Sequence, residues 1–460
     1  MSEISSKANQ PTGVIDKQLL DACIHCGLCL PACPTYLATG REMESPRGRI
    51  YLLSQWNDGT LPLDSRLAEH IDSCLGCFGC QTACPSGVDY ANILEQARPH
   101  ISARKPGYQR FAMRFGFKSL LPNYPRLHML ASLMRKWQSL NGSEMLRKLA
   151  GVKPNQAIAG NAPLALNPLR KLFYRLWQCD ALLPQIPSFK PLPKKSWKSG
   201  EKRGTVQLFA GCVMDVFYNS VNHASIDLLQ AQGQVVEVPE QTCCGALAAH
   251  AGETDIMLAL AKRNIRSLEP TKGPIVVTSA GCGAMMKQYG EHFHNDEEWG
   301  ARAAAISDRI VDITEELAKH PFERKDSAKD IPALKIAYHA ACHLAHAQNI
   351  REAPQKLLLD FAVDVNATSS TSNKIELIPL REAEHCCGSA GIYNLLHTEL
   401  SMEVLNRKMD FIAESGADTV VTTNPGCMLQ ITAGVKQRRL PVQVLHLCEL
   451  LRDAYCVKDN

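Results

Sequence analysis

The sequence predicts a multidomain α+β protein with an α-helical N-terminal domain, a basic helical segment, and two tandem α/β repeats with parallel sheets. Three observations support this fold class. One cysteine pattern occurs twice among helical signals near the N-terminus, the middle of the chain is strongly basic, and the second half repeats one order of strands, cysteines and helices. A chain of 460 residues is also too long for a single core.

The composition shifts and the repeat suggest where these parts begin and end. We expect the N-terminal domain at residues 1–100 and the basic segment at 101–203. The first repeat is expected at 204–325 and the second at 326–460. Each repeat reads as apolar strands that alternate with helical patterns, which is typical of a parallel sheet covered by helices.

The N-terminal cysteine pattern is Cys-x2-Cys-x2-Cys-x3-Cys-Pro, and its two copies begin at Cys23 and Cys74. Such twin motifs are typical of proteins with two 4Fe-4S clusters, in which the fourth cysteine of each motif binds the other motif's cluster. Structural zinc is the alternative, which this crossed arrangement disfavours. We therefore expect two clusters, one on Cys23, Cys26, Cys29 and Cys84 and the other on Cys74, Cys77, Cys80 and Cys33.

Helical signals lie between the two motifs. Ser45 and Pro46 fit the N-cap and first position of a helix, and Gly59 fits its end. Leu67 and Ile71 then follow helical spacing up to Cys74, so a second helix should carry the first ligand of the second motif. The N-terminal domain is therefore expected to be a helical ferredoxin-like domain.

The cysteines of the second half follow strands and precede helical patterns. In a parallel sheet these places meet along the carboxyl edge of the strands, so four thiols should converge in each repeat. Four thiolates suit a further 4Fe-4S cluster, a zinc ion or a metal-free set. The two sets are Cys212, Cys243, Cys244 and Cys282 in the first repeat, and Cys342, Cys386, Cys387 and Cys427 in the second.

Glycines and histidines accompany these sets. Gly245 and Gly388 each follow a cysteine pair and should allow a sharp backbone turn. Three histidines lie beside the second set only, so we interpret them as structural groups rather than metal ligands. They are His343, His346 and His385.

At these residues the chain resembles known families. The paired Cys-Cys-Gly motifs resemble the cysteine-rich domains of heterodisulfide reductase. Together with the N-terminal motifs, the chain resembles the iron-sulfur subunit of bacterial glycolate oxidase (glycolate dehydrogenase) from about residue 15 to 455. One departure concerns the Cys-x-x-Cys ending of the reductase pattern: Met285 and Gln430 take the place of its second cysteine, so each set has four thiols rather than five.

The resemblance implies an electron-transfer role. The family's iron-sulfur subunit passes electrons from flavoprotein subunits, which oxidise glycolate to glyoxylate, toward a membrane or quinone acceptor. Alternatives are a catalytic subunit of the heterodisulfide reductase type, and the equivalent subunit of a lactate or glycerol 3-phosphate dehydrogenase. The sequence contains neither a Gly-x-Gly-x-x-Gly fingerprint after a strand nor a phosphate loop, so we expect no flavin or NAD on this chain.

The basic segment predicts a separate surface. From residue 101 to 204 there are twenty Lys or Arg and three acidic residues, a charge of +17, so that the rest of the chain sums to −13. Arg110, Arg114 and Lys118 share a helical stripe beside Phe111 and Phe115. This face could dock on an anionic membrane or an acidic partner, or pack on the N-terminal domain. Nucleic acid is not expected, because no recognition module accompanies the charge.

The N-terminus is polar, and no apolar run approaches the roughly 20 residues of a membrane span. We therefore expect a cytoplasmic protein that associates peripherally with the cytoplasmic face of the inner membrane. The reducing environment of that compartment also favours metal binding over disulfides for the grouped cysteines.

Overall fold

Helices make up the N-terminal part of the chain, and the described strands all lie after residue 194. The computed structural model describes residues 13–153, 167–197, 202–323, 331–368 and 374–456. The expected boundary between residues 325 and 326 lies outside the described residues. Among the described residues, no helix combines the length and the apolar character needed to cross a bilayer.

Short helices build the N-terminal domain around one apolar core that includes Leu53, Ile71 and Ile93. Ser45 caps a helix that begins at Pro46, as expected, and its hydroxyl accepts a hydrogen bond from the Gly48 amide at 3.0 Å. The helices are α1 Lys17–Asp21, α2 Pro34–Thr39, α3 Pro46–Asn57, α4 Ser65–Asp72, α5 Gly79–Thr82 and α6 Tyr90–Ala103, with a 3-10 turn at Glu42–Glu44.

Two details differ from expectation. Helix α4 ends at Asp72, so Cys74 lies in the loop after the helix and not on it. That loop releases the backbone from helical geometry, which lets the three closely spaced cysteines wrap around a common centre. Helix α6 runs through residue 100, the expected end of the domain, and continues to Ala103.

The basic segment forms helices that pack on the first repeat. Leu127 and Ala131 of α8 are buried in the same core as residues of that repeat. Arg114 of α7 is held by Glu253 and by Asp255, the latter at 2.6 Å, so this part of the predicted basic stripe faces the protein. The helices are α7 Gly107–Phe115, α8 Tyr124–Ser139, α9 Gly142–Ala150 and α10 Pro168–Ala181, with a π-helical turn at Gly116–Leu120.

The first repeat is built on a sheet with strand order β1-β3-β2-β4-β5. Its strands are β1 Lys195–Ser196, β2 Gly204–Phe209, β3 Gln234–Glu237, β4 Ile275–Val277 and β5 Ile310–Asp312. All neighbours pair in parallel except β1, which lies antiparallel to β3. Strand β1 comes from the end of the basic segment, before the expected start of the first repeat.

Eight helices of the described chain connect and cover these strands. They are α11 Cys212–Phe217, α12 Asn219–Ala231, α13 Ala246–His250, α14 Thr254–Leu268, α15 Ala280–Lys287, α16 Tyr289–His292, α17 Gly300–Ser307 and α18 Ile313–Ala318.

The second repeat has the parallel order β7-β6-β8-β9, which matches β3-β2-β4-β5 of the first. The predicted tandem α/β architecture with parallel sheets is therefore confirmed. The strands are β6 Leu334–Tyr338, β7 Ile375–Ile378, β8 Thr419–Thr422 and β9 Gln443–His446. The helices are α19 Glu352–Thr368, α20 Tyr393–Leu396, α21 Thr398–Ser415, α22 Pro425–Arg438 and α23 Leu447–Tyr455, with a π-helical turn at His343–Ala347.

The carboxyl ends of the two sheets are tied together. The Ala280 amide donates to the Thr423 carbonyl at 3.2 Å, and the Gly281 amide donates to the Asn424 side chain at 3.2 Å. His446, at the end of β9, contacts the Thr278 carbonyl at 3.1 Å. These bonds fix the cysteine-bearing edges of the two repeats relative to each other.

The glycine after each cysteine pair adopts a left-handed conformation, as expected, with φ of +92° at Gly245 and +93° at Gly388. Their surroundings differ. A Cβ at Gly388 would lie 2.5 Å from the Ser401 carbonyl oxygen, whereas a Cβ at Gly245 would lie 3.0 Å from the flexible Met257 side chain. Gly416 has a φ of +66°. Apart from its chain neighbours, no atom of the described residues would lie within 4 Å of a Cβ at Gly416.

We expect Gly388→Ala to lower the melting temperature of the protein most, Gly245→Ala less and Gly416→Ala least. The left-handed backbone costs all three variants about 1 to 2 kcal/mol. The new Cβ of Gly388→Ala would also lie 2.5 Å from the Ser401 carbonyl oxygen, whereas the backbone atoms of Met257 would lie 3.3 Å from the new Cβ of Gly245→Ala. Circular dichroism during anaerobic heating measures this order. Equal losses in the three variants would contradict the steric argument.

Candidate metal centres

The first predicted cluster set lines one small pocket near the surface of the N-terminal domain. Its walls include Cys23, Cys26, Cys29 and Cys84, so the fourth cysteine of the second motif joins three cysteines of the first. Cys26 is exposed, which places one side of this cavity at the solvent. Cys80, which the prediction assigns to the second set, also lines this pocket, so the crossed assignment stays a prediction.

The second predicted set lies deeper. Burial and then the neighbouring Cys77, Cys74 and Cys33 raise the pKa of Cys80 well above its usual range, so these four thiols are close together. Two polar groups face Cys74: the Gly76 amide donates to its sulfur at 3.4 Å, and the Tyr90 hydroxyl donates at 3.6 Å. Hydrogen bonds of this kind tune the potential of a thiolate-bound cluster.

The two sets adjoin each other. Burial raises the pKa of Cys29, and the neighbouring Cys23 and Cys33 raise it further, so Cys29 of the first set lies near Cys33 of the second. Buried thiols with raised pKa values stay protonated until a cation binds, and metal binding then releases the protons. The arrangement is therefore suited to two neighbouring metal centres.

An ionic network that the sequence did not reveal connects the two motifs. The Arg49 side chain is 1% exposed and donates to Glu44 at 2.8 Å, to Ser73 at 2.9 Å and to the His70 carbonyl at 2.7 Å. Ser73 directly precedes Cys74. Arg49 thus fixes the loop of the second motif against α3, and loss of one member would leave a buried charge unpaired.

The four cysteines of the first repeat converge as expected. Cys212 begins α11 after β2, Cys243 and Cys244 follow β3, and Cys282 lies in the first turn of α15 after β4. Hydrogen bonds from Cys212 and Cys244, with the Gly245 amide, hold the pKa of Cys243 well below its usual range, although burial opposes this. Cys244 in turn contacts Cys282.

The four cysteines of the second repeat form a similar chain. Cys386 interacts with Cys342 and Cys387, and Cys387 interacts with Cys427. One detail differs from expectation: the pair Cys386 and Cys387 lies in an irregular segment well before α20, not at the entry to a helix. The segment between β7 and α20 is held instead by its contacts with the N-terminal domain.

The three histidines interpreted as structural have different surroundings. His346 contacts the Thr82 hydroxyl at 3.0 Å, and His385 contacts the Pro31 carbonyl at 3.1 Å. The Nδ1 atom of His343 lies 3.6 Å from the Cys342 sulfur. The first two hold the N-terminal domain against the second repeat.

A fourth histidine, His339, was missed by the sequence analysis. It is fully buried, and one of its ring nitrogens lies with the sulfurs of Cys387 and Cys427 in a group whose atoms are all within 4.8 Å of one another. Lys408 is also buried near these thiols, and burial lowers its pKa to about 8 although Cys387 and Cys386 act in the opposite direction. The only sequence signal was a polar residue where the first repeat has Phe209.

The second cluster set of the N-terminal domain touches the second repeat. Cys77 packs against an apolar group that contains Cys342 and Cys386. After burial, the largest influence that raises the pKa of Cys77 is Cys342. The Tyr393 hydroxyl adds a second link between the two domains, since it donates a hydrogen bond to the Ser73 carbonyl at 2.9 Å.

The first repeat contacts the N-terminal domain differently. Arg98 contacts His250 at 3.0 Å, and the Ser102 hydroxyl donates to Glu253 at 2.8 Å. Its cysteines are covered by the basic segment, since Phe117 and Leu127 pack in the same core as Cys212, Cys243 and Cys244.

Two protein families match the N-terminal domain and the two repeats of this chain. Residues 19–88 match a family described as a 4Fe-4S dicluster domain. Residues 206–287 and 336–432 match a family described as a cysteine-rich domain.

Curated relatives cover most of the chain. A probable glycolate oxidase iron-sulfur subunit of Bacillus subtilis (strain 168) is 34% identical over 96% of this chain and 95% of the relative. The glycolate oxidase iron-sulfur subunit of Escherichia coli (strain K12) is 30% identical over 95% and 94%. Lactate utilization protein A of Geobacillus sp. (strain WCH70) is 30% identical over 54% of this chain and 98% of the relative.

The crossed assignment predicts which cluster each fourth cysteine serves. We expect Cys84→Ser to reproduce the EPR spectrum and the loss of about four irons of Cys26→Ser, although Cys84 belongs to the other motif. Likewise, Cys33→Ser should resemble Cys77→Ser. Cys179→Ser, at an exposed cysteine outside the sets, is the matched control and should keep all the iron. If the EPR spectrum of Cys84→Ser instead resembled that of Cys77→Ser, the crossed assignment would be contradicted.

Proposed function

The chain belongs to the family of glycolate oxidase iron-sulfur subunits, and on that premise we propose that it is the electron-transfer subunit of a flavin-dependent glycolate dehydrogenase. Flavoprotein subunits would oxidise glycolate to glyoxylate, a two-electron reaction. This chain would then accept the electrons one at a time, because iron-sulfur centres carry single electrons.

The observation that carries this proposal is the unbroken succession of cysteine sets. The first set adjoins the second through Cys29 and Cys33, and the second adjoins the second repeat through Cys77 and Cys342. Metal centres at these sets would follow one another from the exposed Cys26 to the interior. Such a row is suited to conduct electrons across the protein.

The cofactors in the proposal are two 4Fe-4S clusters on the eight N-terminal cysteines. The four-cysteine sets of the two repeats would hold a further iron-sulfur cluster or zinc. Their donor chemistry fits either metal, since both iron-sulfur clusters and zinc are bound by groups of thiolates.

Burial favours electron transfer over direct disulfide chemistry at the repeats. Seven of their eight set cysteines are buried, and Cys282 is half-buried. A disulfide substrate would have to displace the packed core to reach their sulfurs. An electron needs no such opening.

The relatives also bear on the substrate. Both glycolate oxidase subunits match along almost the whole chain, whereas the lactate utilization protein matches about half of it. We therefore propose glycolate before lactate or glycerol 3-phosphate as the substrate of the partner flavoprotein.

Helix α7 supports peripheral membrane attachment, which would bring the chain to a quinone-linked acceptor at the cytoplasmic face of the inner membrane. Tyr108, Phe111 and Phe115 are 73%, 74% and 58% exposed, and their spacing places them along one side of the helix. Arg104 and Lys118 are exposed at its two ends. Aromatic side chains flanked by basic residues suit the interface of an anionic bilayer.

If α7 lies on the membrane, Phe111→Ser with Phe115→Ser should reduce sedimentation of the protein with anionic phospholipid vesicles severalfold, because two apolar anchors are lost. Leu359→Ser with Val363→Ser is the matched control, since these apolar residues of α19 are 56% and 65% exposed. Equal retention of both variants on vesicles would contradict attachment through α7.

Glycolate should reduce the clusters only when the flavoprotein partner is present. The expected result is loss of visible absorbance and an EPR signal in the mixture, and no glycolate turnover by the isolated chain. Thiol alkylation of the loaded protein should leave dye-linked electron transfer largely intact. Glycolate turnover by the isolated chain would contradict the proposal, and so would loss of dye-linked electron transfer after alkylation. If lactate but not glycolate reduced the clusters in the mixture, lactate would be the substrate of the flavoprotein.

A further inference from the structure

The two repeats differ at one position beside their cysteines. His339 stands three residues before Cys342, and Phe209 stands three residues before Cys212. Both side chains are buried, at 0% and 1% exposure. Phe209 packs in the same apolar core as Cys243 and Cys244, whereas His339 brings two nitrogens to the equivalent place in the second repeat.

Among the residues that the structure describes, neither ring nitrogen of His339 has a hydrogen-bond partner of acceptable geometry. The Ala383 carbonyl is the nearest backbone acceptor for the ring, but it lies outside the geometry of a regular hydrogen bond. A buried polar group without a well-formed hydrogen bond is destabilising, so this buried imidazole points to a group that completes it.

One nitrogen of His339 faces the thiols. Its distance to the sulfurs of Cys387 and Cys427, and the distance between those sulfurs, are all within 4.8 Å. An imidazole nitrogen and two thiolates at such separations fit ligands of one metal centre. Because the other nitrogen is directed elsewhere, the nearby Ala383 carbonyl can orient the ring, as outer partners of metal-bound histidines do.

We propose that His339 is a nitrogen ligand of the metal centre in the second repeat, where it takes a ligand position beside the thiolates of Cys387 and Cys427. This inference rests on the proposed function in one respect, namely that the second repeat holds an iron-sulfur cluster or zinc. The first repeat, with Phe209 in the same place, offers four thiolates only. The pseudo-symmetric repeats would thus hold chemically different centres.

The difference has a redox consequence if the centre is iron-sulfur. Where the imidazole takes a ligand position that a thiolate holds in the first repeat, it brings less negative charge into the site, and histidine in place of cysteine raises the potential of iron-sulfur centres. The second repeat also adjoins Cys77 of the N-terminal domain. Its centre would then be a favourable next position for an electron leaving that domain.

The test uses the full chain, prepared anaerobically with ¹⁵N-labelled histidine, and pulsed EPR of the reduced protein. We expect a strongly coupled histidine nitrogen that is lost in His339→Phe, which copies the first repeat. His339→Cys should also lose this signal, keep the metal and lower the potential. His343→Phe, at the buried histidine beside Cys342, is the matched control and should keep the signal.

Metal analysis of the protein determines which spectroscopic method applies to the second repeat. If the second repeat holds zinc, X-ray absorption at the zinc edge replaces EPR, and one nitrogen ligand should disappear in His339→Phe. The inference is overturned if the histidine nitrogen signal is absent from the wild type or persists in His339→Phe. It is also overturned if Cys427→Ser leaves the metal content unchanged. Failure of the proposed function would instead show as failure of glycolate and flavoprotein to reduce the N-terminal clusters.

Discussion

The proposed crossed sharing of cysteines between the two N-terminal motifs is the constraint on which the rest of the proposed arrangement depends. In that assignment each set takes its fourth cysteine from the other motif, so the chain between Cys33 and Cys74 must return to its starting point. Helices α3 and α4 make that return, and the buried Arg49 with Glu44 fixes its geometry. With both motifs held in this way, the second set presents Cys77 on the outer side of the domain, where it meets the second repeat.

The tandem repeats show how one fold can provide two different environments. Their sheets have matching strand orders, and the turns after their cysteine pairs have almost the same φ. The surroundings nevertheless diverge: the basic segment covers the cysteines of the first repeat, and the N-terminal domain covers those of the second. Contacts made outside the repeat, rather than the sheet itself, therefore distinguish the two sites.

Local signals explain what could be predicted from the sequence. Ser45 as an N-cap, the glycines after the cysteine pairs and the strand-cysteine-helix order all act within a few residues. The structure agrees with the first two, and with the third except at Cys386 and Cys387. Long-range contacts explain what was missed. Strand β1 forms because β3 offers an edge, and Arg114 turns inward because Glu253, far away in sequence, is buried beside it. His339 was not singled out, since nothing local showed that it would face the sulfurs of Cys387 and Cys427.

The charge balance around the second repeat gives a physical reason for a metal centre there. Lys408 is 2% exposed and donates to the Glu382 carbonyl, a neutral partner that cannot offset its charge. Burial lowers its pKa to about 8, and ionised Cys387 and Cys386 would act to raise it. Thiolates form readily only when a metal replaces their protons. Metal binding would therefore create the negative charge that stabilises the buried ammonium, and the ammonium would in turn stabilise the thiolate-bound centre.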